Sequence, residues 1–244
     1  HLSRAAIDSA LAAKPRAIIV NNANNPTGAL YDPALLDELV TRCGDAGVWL
    51  LSDETYADLA FDHAPRSLAA PELGHVVIIS SFSKVLSVPG FRTGYALAHE
   101  TVIAKLALSN STLYSCLPGF TQKGCVVGLA LLDGYADKVR ARNRRLIDTC
   151  HERINHSGLL HCHHPESAFY LFVDITGTGL DDMTFCRRLL EEEHTAVTPG
   201  RCFGDTFSSR IRLAVCGQEE DVLEGVSRTV AFAQKLGGCR VQAA

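Results

Sequence analysis

The stretch Ser81-Phe82-Ser83-Lys84-Val85-Leu86-Ser87-Val88-Pro89-Gly90-Phe91-Arg92 decides how the rest of this 244-residue chain is read. It follows Val76-Val77-Ile78-Ile79-Ser80, a β-branched run of the kind that forms a buried strand, and precedes a second strand-like run from Tyr95 to Ala98. Hydroxyls, one lysine and one arginine are thus concentrated at a strand end, where open α/β sheets place their ligands. Working outward, three more polar clusters fall at predicted strand ends. They are Asn24-Asn25-Pro26-Thr27-Gly28 after the strand Ala17 to Val20, Asp53-Glu54-Thr55-Tyr56 after Val48 to Leu51, and Ser209-Arg210-Ile211-Arg212 at the start of a strand running to Val215. Taken singly, each has an ordinary explanation: a turn, a helix cap, a surface lysine, a strand-edge charge.

Between these strands lie segments with helical spacing and capping residues. Ser3 caps a helix to Lys14, which Pro15 stops, and Asp32-Pro33 opens another whose apolar face is Leu35, Leu36, Leu39, Val40 and Cys43. The alternation predicts an α/β protein. Its expected form is a three-layer sheet with helices on both faces over residues 1–137, with the N-terminal part missing, joined to a smaller α+β domain over 138–244. From Thr121 to Ile154 the few breakers are glycines, which predicts two helices or one long kinked helix. Beyond it the pattern predicts a strand Ala168 to Asp174, a helix Asp181 to Glu193, a strand near Thr195 to Val197 and a helix Glu219 to Gln234. The chain opens His1-Leu2-Ser3 and its one methionine is Met183, so N-terminal sequence is expected to be absent.

Charge and composition narrow the function. With 23 basic and 27 acidic side chains the formal net charge is -4, which gives no field for neutralising nucleic-acid phosphates. The basic run Lys138, Arg140, Arg142, Arg144 and Arg145 reads as a solvated helix face. No apolar run approaches the ~18 residues of a membrane span. Nine cysteines, never spaced C-x-x-C, point to reduced thiols and a cytoplasmic protein. His161-Cys162-His163-His164 is contiguous rather than spaced for converging ligands, so it reads as a loop and no metal is expected.

In order and spacing, the four clusters resemble the fold-type I, class I/II aminotransferases that depend on pyridoxal phosphate. The resemblance runs from Ala17 to Gln234, and its most specific piece is the S-x-S-K-x7-R segment with Gly94-Tyr95 behind it. It implies that Lys84 forms the covalent link to the cofactor aldehyde and then shuttles the Cα proton. Asp53 would face the pyridine nitrogen, with Glu54 its neighbour and competitor on composition. Tyr56 and Asn25 would donate to the phenolic oxygen, and Ser81, Ser83 and Arg92 would hold the phosphate. Arg212, together with Asn25, would take the substrate α-carboxylate. Arg210 is a rival, because two residues apart on a strand puts both on one face. The sequence departs from the family where Ser167 replaces the usual glycine of Pro165-Glu166-Ser167-Ala168.

The resemblance implies transfer of an amino group between an α-amino acid and a 2-oxo acid, by a homodimer. The same residues would serve a lyase, cyclase or oxidase, since the cofactor carries the electron sink. An aminotransferase-like sensor domain of a transcription regulator is the non-enzymatic alternative.

Overall fold

The computed structural model describes residues 2–69 and 74–241. They gather into two compact units, His1–Asn24 with Ala29–Arg140, and Asn25–Gly28 with Ala141–Ala244. Residues 25–28, expected within 1–137, therefore belong with the second unit.

The first unit begins with α1 (Arg4–Ala12), where the Ser3 hydroxyl accepts from the Ala6 N–H at 3.2 Å. Next come β1 (Ala17–Asn21) and α2 (Pro33–Asp45), whose cap Asp32 accepts from the Ala34 N–H at 2.8 Å. The unit continues through β2 (Trp49–Asp53), β3 (Val76–Ser81), α3 (Phe82–Val85) and β4 (Gly94–Leu97), then α4 (Glu100–Tyr114) and α5 (Gly119–Ala130). α6 (Leu132–Asn155) starts here, so the breaker-poor stretch resolves into two helices parted at Leu131.

The four strands lie in the order β1-β2-β3-β4, the first three parallel and the last antiparallel. This is a mixed sheet flanked by helices. Ile7 of α1 and Leu36, Leu39 and Cys43 of α2 pack on Val20, Leu50, Val76 and Ile78. Each such side chain contributes about 1.5–3 kcal/mol on burial, so this face anchors the sheet. The register pairs Asn21 with Asp53 and Asp53 with Ile79, which brings the C-terminal ends of β1, β2 and β3 to one edge. Gly94 lies opposite Ser81, and a Cβ there would meet the Ser80 carbonyl oxygen at 2.5 Å. Only glycine lets β4 return so closely.

In the second unit the rest of α6 is followed by β5 (Tyr170–Asp174), α7 (Asp182–Glu193), β6 (Thr198–Pro199), β7 (Arg210–Ala214) and α8 (Glu219–Val241). The strands form an antiparallel sheet in the order β5-β7-β6. Leu171, Val173, Phe185, Ile211 and Phe232 are buried within this unit. The short strand sits at Thr198–Pro199 rather than near Thr195–Val197. The reason is local: α7 ends on left-handed His194, and the Thr195 N–H still reaches back to the Leu189 carbonyl at 3.4 Å. The chain is completing a helix terminus where a strand was expected.

Residues 25–28 are seated by Gly28. Its carbonyl accepts from the Glu166 N–H at 3.0 Å, its φ is +67°, and an added Cβ would lie 2.5 Å from Pro165 Cβ and 2.7 Å from the Ser167 carbonyl oxygen. Strain and overlap act together here, so Gly28→Ala is expected to cost about 3 kcal/mol. Urea unfolding of parent and variant checks this, and an unchanged midpoint would contradict it. No helix among the described residues is long and apolar enough to cross a membrane.

Candidate active site

At the strand-end edge of the first unit, Asp53 closes β2, and its Oδ1 accepts from the Thr55 N–H at 3.0 Å. No cation pairs with its carboxylate among the described residues. Glu54 behaves differently. It is buried, and its Oε1 accepts from the Ser52 hydroxyl at 2.9 Å and the Leu68 N–H at 3.0 Å. Adjacent positions of an extended chain face opposite ways, so Glu54 is consumed in holding the chain while Asp53 stays at the edge.

Tyr56 is buried beside the single-turn helix Ala57–Leu59, and Lys84 Nζ lies 6.0 Å from the centre of its ring. Lys84 is on α3, which follows β3 directly. Ser81 caps that turn, accepting from the Ser83 N–H at 3.0 Å, and its hydroxyl donates to the Thr93 carbonyl at 3.4 Å. Ser83 is buried one position before the lysine. Arg92 follows the turn Pro89–Phe91 in the left-handed region, φ 53°, with Nη1 donating to the Pro89 carbonyl at 2.8 Å. Phe91 packs against α5, where a Cβ on Gly124 would come within 2.7 Å of the ring. Arg92 is exposed, and no carboxylate pairs with it among the described residues.

The second unit builds a different device around Arg212. Its guanidinium lies between two rings, 4.4 Å from the centre of Tyr170 and 4.9 Å from that of Phe203. Nη1 donates to Asn25 Oδ1 at 2.9 Å and Nη2 to the Thr198 hydroxyl at 3.2 Å, whereas the buried Nε has no hydrogen-bond partner. No carboxylate pairs with Arg212 among the described residues. A desolvated cation with an unfilled donor is costly unless an anion completes it. The planar fork suits a carboxylate. Arg210 is already matched: its Nη2 lies 3.2 Å from Asp174 Oδ2, and the residues sit opposite each other on β7 and β5. Burial works against the Asp174 carboxylate, but the Thr176 hydroxyl and N–H and the Arg210 charge hold it below its ordinary range.

A second ion pair was not anticipated from sequence. Asp182, fully buried, accepts from the Arg201 backbone N–H at 2.8 Å and from its Nε at 2.7 Å. Burial opposes its ionisation, yet the Arg201 contacts keep it below the usual carboxylate range. The available signal was the Asp181-Asp182 doublet. One acid caps α7, Asp181 accepting from the Met183 and Thr184 N–H groups, and the second has no such task. In the histidine run, His164 Nε2 lies 2.7 Å from Asp148 Oδ1 and the rings of His161 and His163 are 5.5 Å apart.

Residues 1–228 match the family model for aminotransferase class I and II. An aspartate aminotransferase of Sulfurisphaera tokodaii is 29% identical over 242 residues, covering 96% of this chain and 60% of that protein. The aspartate aminotransferase of Musicola paradisiaca is 31% identical over 231 residues, covering 91% of this chain and 57% of its own. Among solved structures, an aromatic aminotransferase from Pyrococcus horikoshii superposes with a TM-score of 0.88 at 26% identity, covering 96% of this chain and 64% of that one. The chain thus spans roughly three fifths of the length of the curated relatives it matches. Members of this family use pyridoxal phosphate. The donor set fits that group: the first unit offers an amine, a phenol, hydroxyls, a carboxylate without a cation and a guanidinium without a carboxylate. By the match over residues 1–228, and with a donor set of this chemistry at its strand ends, the chain belongs to the class I and II aminotransferase family.

Proposed function

We propose that the protein carrying this chain is a pyridoxal-phosphate-dependent aminotransferase that moves an amino group between an α-amino acid and a 2-oxo acid. The observation that carries this reading is the Lys84 amine 6.0 Å from the centre of the Tyr56 ring, at the sheet edge that also presents the Asp53 carboxylate. The relatives named as aspartate and aromatic aminotransferases support it.

When bound, pyridoxal phosphate supplies an aldehyde carbon and a ring that accepts the electron pair left at Cα. Lys84 would hold that aldehyde through its amine. With the substrate amine in its place, Nζ would take the proton from Cα and deliver it to the former aldehyde carbon. Asp53 would keep the ring nitrogen protonated, and Tyr56 would donate its phenol to the ring oxygen. Ser81, Ser83 and Arg92 would hold the phosphate. In the second unit Arg212 takes the substrate carboxylate, with Asn25 orienting its Nη1. We also read the working form as a cytoplasmic homodimer. Cys43, Cys116, Cys125, Cys150, Cys162, Cys186, Cys202 and Cys216 are free, and Leu113, Tyr114 and Phe120 each stand more than 70% exposed on α4 and α5.

Borohydride reduction of the full-length protein, followed by peptide mapping, tests the central assignment. The expected product is a cofactor adduct on Lys84, and an adduct on another lysine would sink the reading. Given one amino acid and no oxo-acid acceptor, the protein should stop after one amino group per site. Continued turnover would identify a lyase or oxidase instead. Sedimentation of the same sample should give twice the chain mass.

A further inference from the structure

We propose that Asp182 is a positioning residue for the Arg212 anion receptor, tying down the loop that supplies two of the groups packed against the guanidinium. This rests on the reading that Arg212 takes the substrate carboxylate. Thr198, whose hydroxyl accepts from Nη2, and Phe203, whose ring covers the guanidinium, lie on one segment between α7 and β7. That segment has little regular structure: two residues of β6 followed by the single turns Gly200–Phe203 and Asp205–Phe207. Its two β6 residues pair with β7, Thr198 opposite Arg212, so it is the stretch beyond Pro199 whose course needs fixing from elsewhere.

Asp182 does so at two points. Its carboxylate accepts from the Arg201 N–H and Nε at 2.8 and 2.7 Å, with Nη2 2.6 Å away, and its own N–H donates to the Ser208 carbonyl at 2.8 Å. One residue therefore holds the loop at its middle, Arg201, and near its end, Ser208. A carboxylate with no exposed surface is expensive to bury unless fully bonded, and the α7 start does not need it, because Asp181 already caps that helix. The approach is close: a Cβ on Gly200 would meet the Arg210 carbonyl oxygen at 2.6 Å, which presses the loop onto the start of β7. Two positions along from Arg201, Phe203 lies 6.0 Å centre to centre from Phe172, the β5 residue opposite Arg212. Releasing the Asp182–Arg201 tether frees the Phe203 ring to move off the guanidinium, while Thr198 stays opposite Arg212 in the sheet.

The test measures the dissociation constant of propionate, a carboxylate without an amine, by saturation-transfer NMR on the full-length, cofactor-loaded protein. Arg212→Lys should weaken binding about a hundredfold. Asp182→Asn, shown folded by circular dichroism, should weaken it about tenfold through misplacement alone. In a Phe203→Leu background the same change should add less than about threefold, because two residues acting through one contact are not additive. If Asp182→Asn does not fold, the neutral pair Asp182→Asn with Arg201→Gln replaces it, with the same expected loss. The proposal is overturned if Arg212→Lys weakens propionate binding while the folded Asp182 variant binds like the parent. It is equally overturned if the Asp182 effect persists in full without Phe203. Should Arg212→Lys leave binding unchanged, the carboxylate reading of Arg212 itself fails and takes this inference with it.

Discussion

Lys84→Ala is expected to yield a folded protein whose turnover is at least about 10⁴-fold slower than the parent, the loss that follows when one group serves as both nucleophile and proton carrier. The fold should tolerate it. Lys84 sits on a four-residue turn, half-buried, while Ser83 and Val85 on either side of it are buried. Removing the side chain deletes a methylene stem beside Tyr56 and leaves the cap of that turn, Ser81 to the Ser83 N–H, in place. Single-turnover kinetics with a saturating amino acid, and the loss of any borohydride-fixed adduct, check the result. A variant that retained parental turnover would remove Lys84 from the chemistry altogether.

Arg212→Ala should lower kcat/KM by about 10²–10³, chiefly through KM, as expected for a charge-assisted, desolvated carboxylate partner. Arg210→Ala should leave kcat/KM within about twofold, because that guanidinium is already committed to Asp174 and has no bearing on substrate. The two replacements also separate on stability. Arg212 is a half-buried cation with an unfilled Nε. Taking it out relieves a desolvation cost, so thermal unfolding should shift by less than about 1 kcal/mol equivalent. Steady-state kinetics over a series of amino acids, read beside melting curves, decides it. Equal kinetic losses in both variants would contradict the assignment of Arg212.

The strands of the first unit were legible because their cause is local. Val76 to Ile79 is β-branched throughout and is read as a buried strand without knowing its neighbours, and β3 is found there. α4 was not legible, for an equally physical reason. Its apolar residues, Leu106, Leu108 and Leu113 among them, are exposed rather than gathered on one stripe, and none of its residues is buried, so no 3.6-residue period marks it. The site residues divide in the same way. Asp53 and Glu54 are adjacent acids that composition cannot rank; what tells them apart is that Ser52 and Leu68 bond to Glu54, the latter from fourteen residues away. Arg210 and Arg212 share a face by strand period, and only the register of β5 against β7, which sets Asp174 opposite Arg210, distinguishes their charges. The Asp182–Arg201 pair spans nineteen residues and carries no motif. Pairings of that kind are made by tertiary structure, and a single sequence does not display them.

Residues 25–28 leave the first unit's chain after Asn24 and return to it at Ala29, so the second unit is not one continuous length of polypeptide. No single scission can therefore excise it whole. A fragment starting at Ala141 would keep Arg212, Tyr170 and Thr198 but lose both the Asn25 acceptor and the Gly28 carbonyl that receives the Glu166 N–H. For split-protein or domain-exchange designs, a cut at residue 140 would orphan the receptor, whereas supplying Asn25-Pro26-Thr27-Gly28 in trans, or grafting it onto the fragment, would restore the missing partners.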